Sequence, residues 1–170
     1  NVSARQFHQS DFVERVRRSL TASGANPARL MLELTESIVI DRVDEVIDRM
    51  EQLNVVGVKF SLDDFGTGYS SLSCLKRLPL DEVKIDRSFV RDLVDDSNDA
   101  AIVQAILAMS HSLGLRVVAE GVETLAQRDF LLTRGWETFQ GYLVGKPAPI
   151  AQWAGSGHSR GVARVSPLEA

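Results

Sequence analysis

Short aliphatic and β-branched runs alternate along the chain with longer segments whose apolar residues recur at helical spacing. The runs begin near residues 30, 58, 83, 116 and 138, roughly 22 to 33 residues apart, which is typical of βα units with parallel strands. The first predicted strand begins at Leu30. The other four cover Val58–Leu62, Val83–Ile85, Arg116–Ala119 and Thr138–Gln140. The predicted helices cover Asp11–Leu20, the segment from a cap at Asp41 through Leu53, Ser70–Leu78, Ala100–Leu113 and the segment from a cap at Thr124 to Arg134.

This alternation predicts an α/β fold, because parallel strands joined by helices form either an open sheet or a (β/α) barrel. Five strands, with a further strand end at Asn1–Ser3, are fewer than the eight of a barrel. A barrel therefore requires about two more strand units before Asn1. Beyond Pro149 the periodicity stops, so we expect one domain over residues 1–154 and a flexible tail over residues 155–170.

Composition excludes several classes of function. The chain has 170 residues, of which 44% are hydrophobic and 25% charged, enough for one sizeable core. The net charge of −4 and the lack of a basic run argue against binding of polymeric nucleic acid. A single cysteine, Cys74, excludes an internal disulfide and favours a cytoplasmic location for this domain. No apolar stretch reaches the ~20 residues that cross a bilayer, which leaves open a membrane anchor elsewhere in a longer parent protein.

Charged residues occur where the predicted strands end. Asp63 and Asp64 follow the second strand, Glu33 closes the first, Lys84 lies in the third and Glu120 follows the fourth. Burial of an unpaired carboxylate costs several kcal/mol, so a salt bridge or a helix cap is the simpler explanation for any one of them. Acids that converge from several strand ends are, however, what a site for divalent cations needs.

Six motifs in fixed order extend over almost the whole periodic part of the chain. They are Asn1-Val2-Ser3-Ala4-Arg5-Gln6-Phe7, Leu32-Glu33-Leu34-Thr35-Glu36-Ser37, Asp63-Asp64-Phe65-Gly66-Thr67-Gly68-Tyr69-Ser70-Ser71-Leu72, Lys84-Ile85-Asp86, Ala119-Glu120-Gly121-Val122-Glu123 and Gln140-Gly141-Tyr142-Leu143-Val144-Gly145-Lys146-Pro147. In order and spacing they resemble the EAL domain family, bacterial phosphodiesterases that cleave the second messenger cyclic di-GMP to linear pGpG.

The resemblance implies a TIM-like (β/α) barrel, here incomplete, with two divalent ions, Mg²⁺ or Mn²⁺, and with Ca²⁺ as an inhibitor. Asn1, Glu33 and Asp63 match the ligands of one ion. Asp63 would bridge to a second ion that Asp64 and Glu120 also hold. Lys84 matches the lysine that orients the nucleophilic water, so that Lys84, Glu120 and Asp64 form the catalytic set.

The same resemblance implies three residues on the substrate side, namely Glu123, Gln140 and Asp86. Asp86 has an equally good interpretation as the cap of the turn that leads to Phe89. Glu36 resembles the glutamate that anchors the loop from Asp64 to Leu72, a loop that in this family also touches the dimer interface. The implied partners are therefore cyclic di-GMP, a second copy of the domain and, in the parent chain, an upstream sensor or cyclase-like domain.

Two other functions stay open. One is an EAL-like receptor that binds cyclic di-GMP without cutting it, although such receptors typically lack acids that are present here. The other is an aldolase or enolase type of barrel, in which Lys84 would form a Schiff base or abstract a proton. The Glu-Ala-Leu motif that names the family, and with it one metal ligand, does not occur in the chain. We therefore expect a fragment of the domain that is inactive when isolated.

Overall fold

The computed structural model describes residues 1–40, 42–68, 72–149 and 162–164. The chain divides into two compact units, Asn1–Val83 with Leu113–Leu115 and Lys84–Ser112 with Arg116–Ala170. Within the described ranges, no helix combines the length and the apolar character that crossing a membrane requires.

The first unit is built on two parallel strands, β1 (Met31–Thr35) and β2 (Lys59–Phe65). The register places Glu33 opposite Ser61 and Thr35 opposite Asp63. Val2 adds a parallel bridge to Leu34, as expected for a strand end near the start of the chain. The helices of this unit are α1 (Ala4–Phe7), α2 (Phe12–Ser23), α3 (Glu36–Ile40), α4 (Val43–Asn54) and α5 (Leu72–Arg77), with a 3-10 turn at Pro27–Arg29.

The core of the first unit lies between its strands and the helices α3 and α4. Val46, Met50 and Leu53 recur at helical spacing on α4 and are fully buried. They face the sheet because α4 contacts β2, whose Phe60 and Leu62 are also fully buried. The apolar stripe predicted for this helix is therefore its core face.

The second unit contains β4 (Arg116–Ala119) and β5 (Thr138–Gln140), which are parallel. A short strand, β6 (Val162–Arg164), pairs antiparallel with β5. Strand β3 (Glu82–Ile85) contains the boundary between the units. The helices of this unit are α6 (Arg87–Arg91), α7 (Ser97–Ser112) and α8 (Leu125–Thr133).

The core of the second unit forms where α7 contacts β4. Val103 of α7 and Ala119 of β4 are fully buried, as is Leu131 of α8. Trp136 is the largest fully buried side chain among the described residues.

The predicted order of strands and helices is confirmed, and the differences are local. Strand β2 extends three residues beyond the predicted Leu62. The sequence did not predict α1, α3 and α6, nor β6 within the predicted tail. The predicted cap at Asp41, the helix start at Ser70 and the remainder of the predicted tail lie outside the described residues.

Candidate functional site

Two carboxylates at the end of β2 lie side by side. Their oxygens are within 4.8 Å of one another, and the backbone N–H of Asp64 donates to Oδ1 of Asp63 at 3.2 Å. Successive side chains of a regular strand point to opposite faces. Asp64 departs from that rule with a φ of 55°, in the left-handed region that non-glycine residues rarely adopt. This single backbone conformation lets two consecutive acids offer oxygens to one place.

Glu33 lies on the same sheet face as Asp63. Glu33 is opposite Ser61 in the parallel register, and Ser61 is two residues before Asp63. Residues i and i+2 of a strand share a face, so Glu33, Ser61 and Asp63 all lie on one face of the sheet. Asp63 is the next residue on that face of β2 after Ser61, the partner of Glu33. The first residues of the chain lie beside them, since the N–H of Val2 donates to the carbonyl of Glu33 at 2.9 Å. Asn1, which precedes Val2, is exposed.

A buried glutamate holds the loop that follows Asp64. Glu36 is 4% exposed, and its Oε2 accepts a hydrogen bond from the N–H of Gly68 at 2.9 Å. A Cβ on residue 68 would lie 2.7 Å from that oxygen, so a side chain there would displace the Glu36 carboxylate. Thr67 Oγ1 also donates to the carbonyl of Asp64 at 2.9 Å. Glu36 therefore contacts the start of this loop, and its role as the loop's anchor stays a prediction.

Lys84, which is buried, and Glu120, which is partly exposed, form an ion pair in the second unit. Lys84 Nζ donates to Glu120 Oε1 at 2.7 Å, and the two side chains are 7% and 19% exposed. The backbone supports the pair, because the N–H of Glu120 donates to the carbonyl of Ile85 at 3.1 Å.

The loop after Glu120 is held by close backbone contacts. Gly121 has a φ of 71°, and a Cβ there would lie 2.5 Å from Cβ of Arg87. The N–H of Val122 donates to the carbonyl of Gln140 at 3.0 Å, and the carbonyl of Val122 accepts from Leu143 at 3.0 Å. Gly141 faces Val122 so closely that a Cβ on it would be 2.2 Å from the Val122 oxygen. Both glycines are thus required by packing.

Asp86 is the N-cap of α6. Its carboxylate accepts a hydrogen bond from the N–H of Ser88 at 2.9 Å. Partial burial by itself would raise the pKa of Asp86. Hydrogen bonds from Ser88 and Arg87, with the charge of Arg87, outweigh it and lower the pKa below its ordinary value. The capping interpretation of Asp86 is therefore confirmed, and its placement on the substrate side stays a prediction.

A polar cavity of about 560 Å³ lies beside this cap. Its lining is mostly charged or hydrogen-bonding side chains, namely Asp86, Arg87, Ser88, Arg91, Glu123 and Gln127, with the backbone of Gly121. Of the predicted substrate-side residues, Asp86 and Glu123 line this cavity. The third, Gln140, is exposed but does not line this cavity.

Each unit thus brings together part of the predicted set. The first unit holds Asn1, Glu33, Glu36, Asp63 and Asp64, and the second holds Lys84, Asp86, Glu120, Glu123 and Gln140. Sequence analysis overlooked Arg87, Arg91 and the buried Gln127. For Gln127 a signal existed, because Thr124-x-x-Gln127 is the pattern of a helix capping box.

Comparison with known proteins agrees with the motifs. The model of the EAL domain matches residues 1–147. The chain belongs to the EAL domain family. It is 50% identical over 152 residues to the bifunctional diguanylate cyclase/cyclic di-GMP phosphodiesterase MucR of Pseudomonas aeruginosa. The aligned residues make up 89% of this chain and 22% of MucR. It is 46% identical over 151 residues to the cyclic di-GMP phosphodiesterase NbdA of the same organism, covering 89% of this chain and 19% of NbdA. The chain therefore spans about a fifth of the length of these relatives.

Solved structures of EAL domains share the fold. A PaMucR phosphodiesterase in complex with c-di-GMP superposes with a TM-score of 0.87 at 50% identity, covering 90% of this chain and 62% of that one. A manganese/cy-diGMP complex of Klebsiella pneumoniae BlrP1 has a TM-score of 0.78 at 39% identity, covering 84% of this chain and 36% of that one. A calcium/cy-diGMP complex of the same protein has the same similarity. The predicted fold class, part of a TIM-like α/β barrel domain, is confirmed by this similarity.

Proposed function

We propose that this chain is part of an enzyme that hydrolyses cyclic di-GMP to linear pGpG with the help of two divalent cations. The observation that carries the proposal is the pair of adjacent carboxylates at the end of β2, in a chain of the EAL family whose relatives are described as cyclic di-GMP phosphodiesterases. A phosphodiester is anionic, so a cleft lined by acids requires cations before it can accept such a substrate.

The donor atoms suit hard cations. Two oxygens that ligate one cation at 2.0–2.6 Å each lie at most ~5 Å apart, and the oxygens of Asp63 and Asp64 are within 4.8 Å. Carboxylate and amide oxygens favour Mg²⁺ or Mn²⁺ over Zn²⁺, which prefers histidine and cysteine. Asn1, Glu33 and Asp63 would hold one ion, and Asp63, Asp64 and Glu120 the other. A pair of ions supplies charge stabilisation for the attacking and leaving oxygens of the phosphodiester.

Lys84 is the residue that we assign to the attacking water. Its ammonium group has three N–H donors, one of which is given to Glu120. The ion pair restricts the position of Nζ, from which the ammonium group would orient the water. Glu120 would both keep Lys84 in place and serve as a ligand of the second cation.

The polar cavity in the second unit is our candidate for the substrate side. Glu123 and Asp86 border it, and Arg87 and Arg91 bring positive charge to a region otherwise rich in acids. Gln140 lies on the segment that pairs with Val122, so it would contact substrate from beside this cavity. In this assignment Asp86 acts mainly through the helix cap that it forms.

The parent protein would contain more than this domain. Relatives are about five times as long as the matched region, and MucR is described as carrying both a cyclase and a phosphodiesterase activity. We propose an upstream sensor or cyclase-like domain, a homodimer formed through the EAL domain, and a cytoplasmic location for it. The family resemblance supports the dimer, and the single Cys74 supports the reducing compartment.

The test is turnover of cyclic di-GMP by the full gene product that contains this chain, with pGpG identified by mass spectrometry. We expect turnover in Mg²⁺ or Mn²⁺, loss of turnover in excess chelator, and recovery when Mg²⁺ is added back. Recovery is the control, because it shows that chelation did not unfold the protein. Ca²⁺ should support binding better than turnover, since its looser coordination positions the reacting groups poorly.

Two results would contradict the proposal. Steady pGpG production in excess chelator would exclude the role of the cations. Tight binding of cyclic di-GMP without turnover in any of the metals would instead identify a receptor, the alternative that the sequence left open.

A further inference from the structure

Gln127 is a buried glutamine whose side-chain amide is fully hydrogen-bonded. It is 7% exposed. Its Oε1 accepts from the N–H groups of Glu123 at 2.9 Å and Thr124 at 3.0 Å, and its Nε2 donates to the carbonyls of Val90 at 3.2 Å and Arg91 at 3.1 Å. A glutamine amide has two donors and two acceptor sites, so all four are used.

These four bonds join two different segments of the second unit. Val90 and Arg91 are at the end of α6, the helix that begins one residue after Asp86 and three after Lys84. Glu123 and Thr124 end the loop that begins with Glu120. The amide of Gln127 therefore connects the segment after Lys84 with the segment after Glu120.

The bonds to α6 exceed what a helix cap requires. In a capping box the residue at the third helical position accepts from the N-cap backbone, and glutamate does this as well as glutamine. Only glutamine can also donate, and here both donors go to carbonyls in the last turn of α6, where carbonyls have no partner within the helix. The choice of glutamine at position 127 is thus explained by the link to α6.

The loop from Glu120 to Thr124 would pass a movement of α8 on to Glu120, because close backbone contacts restrict the conformation of this loop. Gly121 packs on Arg87, in the first turn of α6, and Val122 pairs with the segment of Gln140 to Leu143. A displacement of α8 away from α6 would therefore move this loop as one piece and pull Glu120 from Lys84.

We propose that Gln127 is a positioning residue, which holds the loop of Glu120 to Glu123 against α6 and so keeps the ion pair of Glu120 with Lys84 in its reactive arrangement. This rests on the proposed function. Gln127 also lines the polar cavity, but the role that we assign to it is indirect. It acts through backbone groups of Glu123, Thr124, Val90 and Arg91.

The test compares Gln127→Glu, Gln127→Met and Leu131→Val in the full gene product. Glu keeps the acceptor for Glu123 and Thr124 but loses both donors to α6, and Met loses all four bonds at similar volume. Leu131→Val is the matched control, because it shortens a fully buried side chain of the same helix and leaves the link to α6 intact. The readouts are kcat, KM and melting temperature, with hydrogen exchange of the Glu123 and Thr124 amides.

We expect both Gln127 variants to lower kcat by about 10- to 100-fold, the effect of misplacing catalytic groups by about 1 Å, with a much smaller change in KM. Leu131→Val should keep kcat within about twofold of the parent at a comparable loss of melting temperature. Amide exchange at Glu123 and Thr124 should become faster in Gln127→Met and stay at the parental rate in Leu131→Val.

Parental kcat in Gln127→Glu would overturn the proposal, and so would an equal loss of kcat in Leu131→Val. Unchanged exchange of both amides in Gln127→Met would overturn it without any assay of activity. A parent that does not turn over cyclic di-GMP, but whose amides respond as expected, would refute the proposed function and leave the link between α6 and the loop established.

Discussion

Asp63 and Asp64 lie side by side because the backbone at Asp64 leaves the extended conformation. A non-glycine residue in the left-handed region costs of order 1 kcal/mol or more, and the surrounding loop holds it there. Glu36 binds Gly68, and Thr67 binds the carbonyl of Asp64. These contacts serve an arrangement in which both carboxylates can reach one cation.

At this scale the decisive variant is Asp63→Asn. It keeps the shape of the side chain but removes the charge that we assign to both cations, so we expect a loss of at least ~10²-fold in turnover with little change in melting temperature. Turnover and thermal melting of the full gene product, measured at saturating Mg²⁺, check this.

Asp48→Asn is the matched control for that change, because it is the same chemical substitution. Asp48 is exposed on α4 and is not one of the acids that we assign to the cations. It should retain parental turnover. Near-parental turnover of Asp63→Asn would mean that Asp63 does not bridge the cations.

At the scale of helices and strands, the sequence predicted those elements whose apolar residues carry a clear period. β4 and β5 have their predicted bounds, Arg116–Ala119 and Thr138–Gln140. The helices α1, α3 and α6 were missed because four or five residues make fewer than two turns and carry almost no periodicity. Strand β2 was predicted too short because aspartate is a poor strand former, yet Asp63 and Asp64 continue the strand.

The candidate site was predictable in its residue types but not in its geometry. Acids at strand ends are visible in the sequence, and so are the motifs. The left-handed backbone of Asp64 is not, because aspartate tolerates that conformation without requiring it. The bonds from Gln127 to α6 join residues 36 and 37 positions apart, so tertiary packing decides them.

The short helix α6 offers a test at this scale, because it begins at the Asp86 cap. Asp86→Ala should destabilise the protein by about 1 kcal/mol, since the N–H of Ser88 loses its acceptor. Asp86→Asn is the matched control and should be near parental, because asparagine caps helices equally well. Urea unfolding measures both.

The pKa of Asp86 gives this effect a pH dependence. It is lowered from an ordinary value of 3.8, so the cap contributes stability above that value and loses it as pH falls through the lower, folded pKa. The cost of Asp86→Ala should therefore be complete at neutral pH and shrink only as the pH falls below the ordinary carboxyl value of 3.8. If the parent and Asp86→Ala are equally stable at neutral pH, the capping role is wrong.

For the whole molecule, the outer edge of β1 is the feature with the largest consequence. Among the described residues, that edge is paired through the bridge of Val2 to Leu34. By the same parallel register, residues before Asn1 would lie opposite Leu32 and Leu30. An apolar groove of about 370 Å³, lined mainly by Phe12, Val16, Leu20, Leu30 and Leu32, lies beside it.

We predict that residues 1–170 expressed alone are aggregation-prone or dimeric and nearly inactive. An open strand edge beside an apolar groove pairs readily with other chains. The Glu-Ala-Leu motif, whose glutamate is one of the expected metal ligands, does not occur in this sequence. Without it the first cation should bind more weakly, because one fewer carboxylate attracts the ion, and Glu33 and Asp63 repel each other where no cation neutralises them.

The measurement compares three purified proteins: residues 1–170, a version extended upstream to complete the EAL domain, and the full gene product. Light scattering gives their size, melting gives their cooperativity, and pGpG formation in Mg²⁺ gives their activity. Recovery of a discrete size and of turnover in the extended version would attribute the defect to the missing strands and ligand rather than to an upstream domain. If residues 1–170 are instead monodisperse, melt cooperatively and match parental turnover, the strand units and the glutamate before Asn1 are dispensable, and a two-cation site that depends on them is wrong.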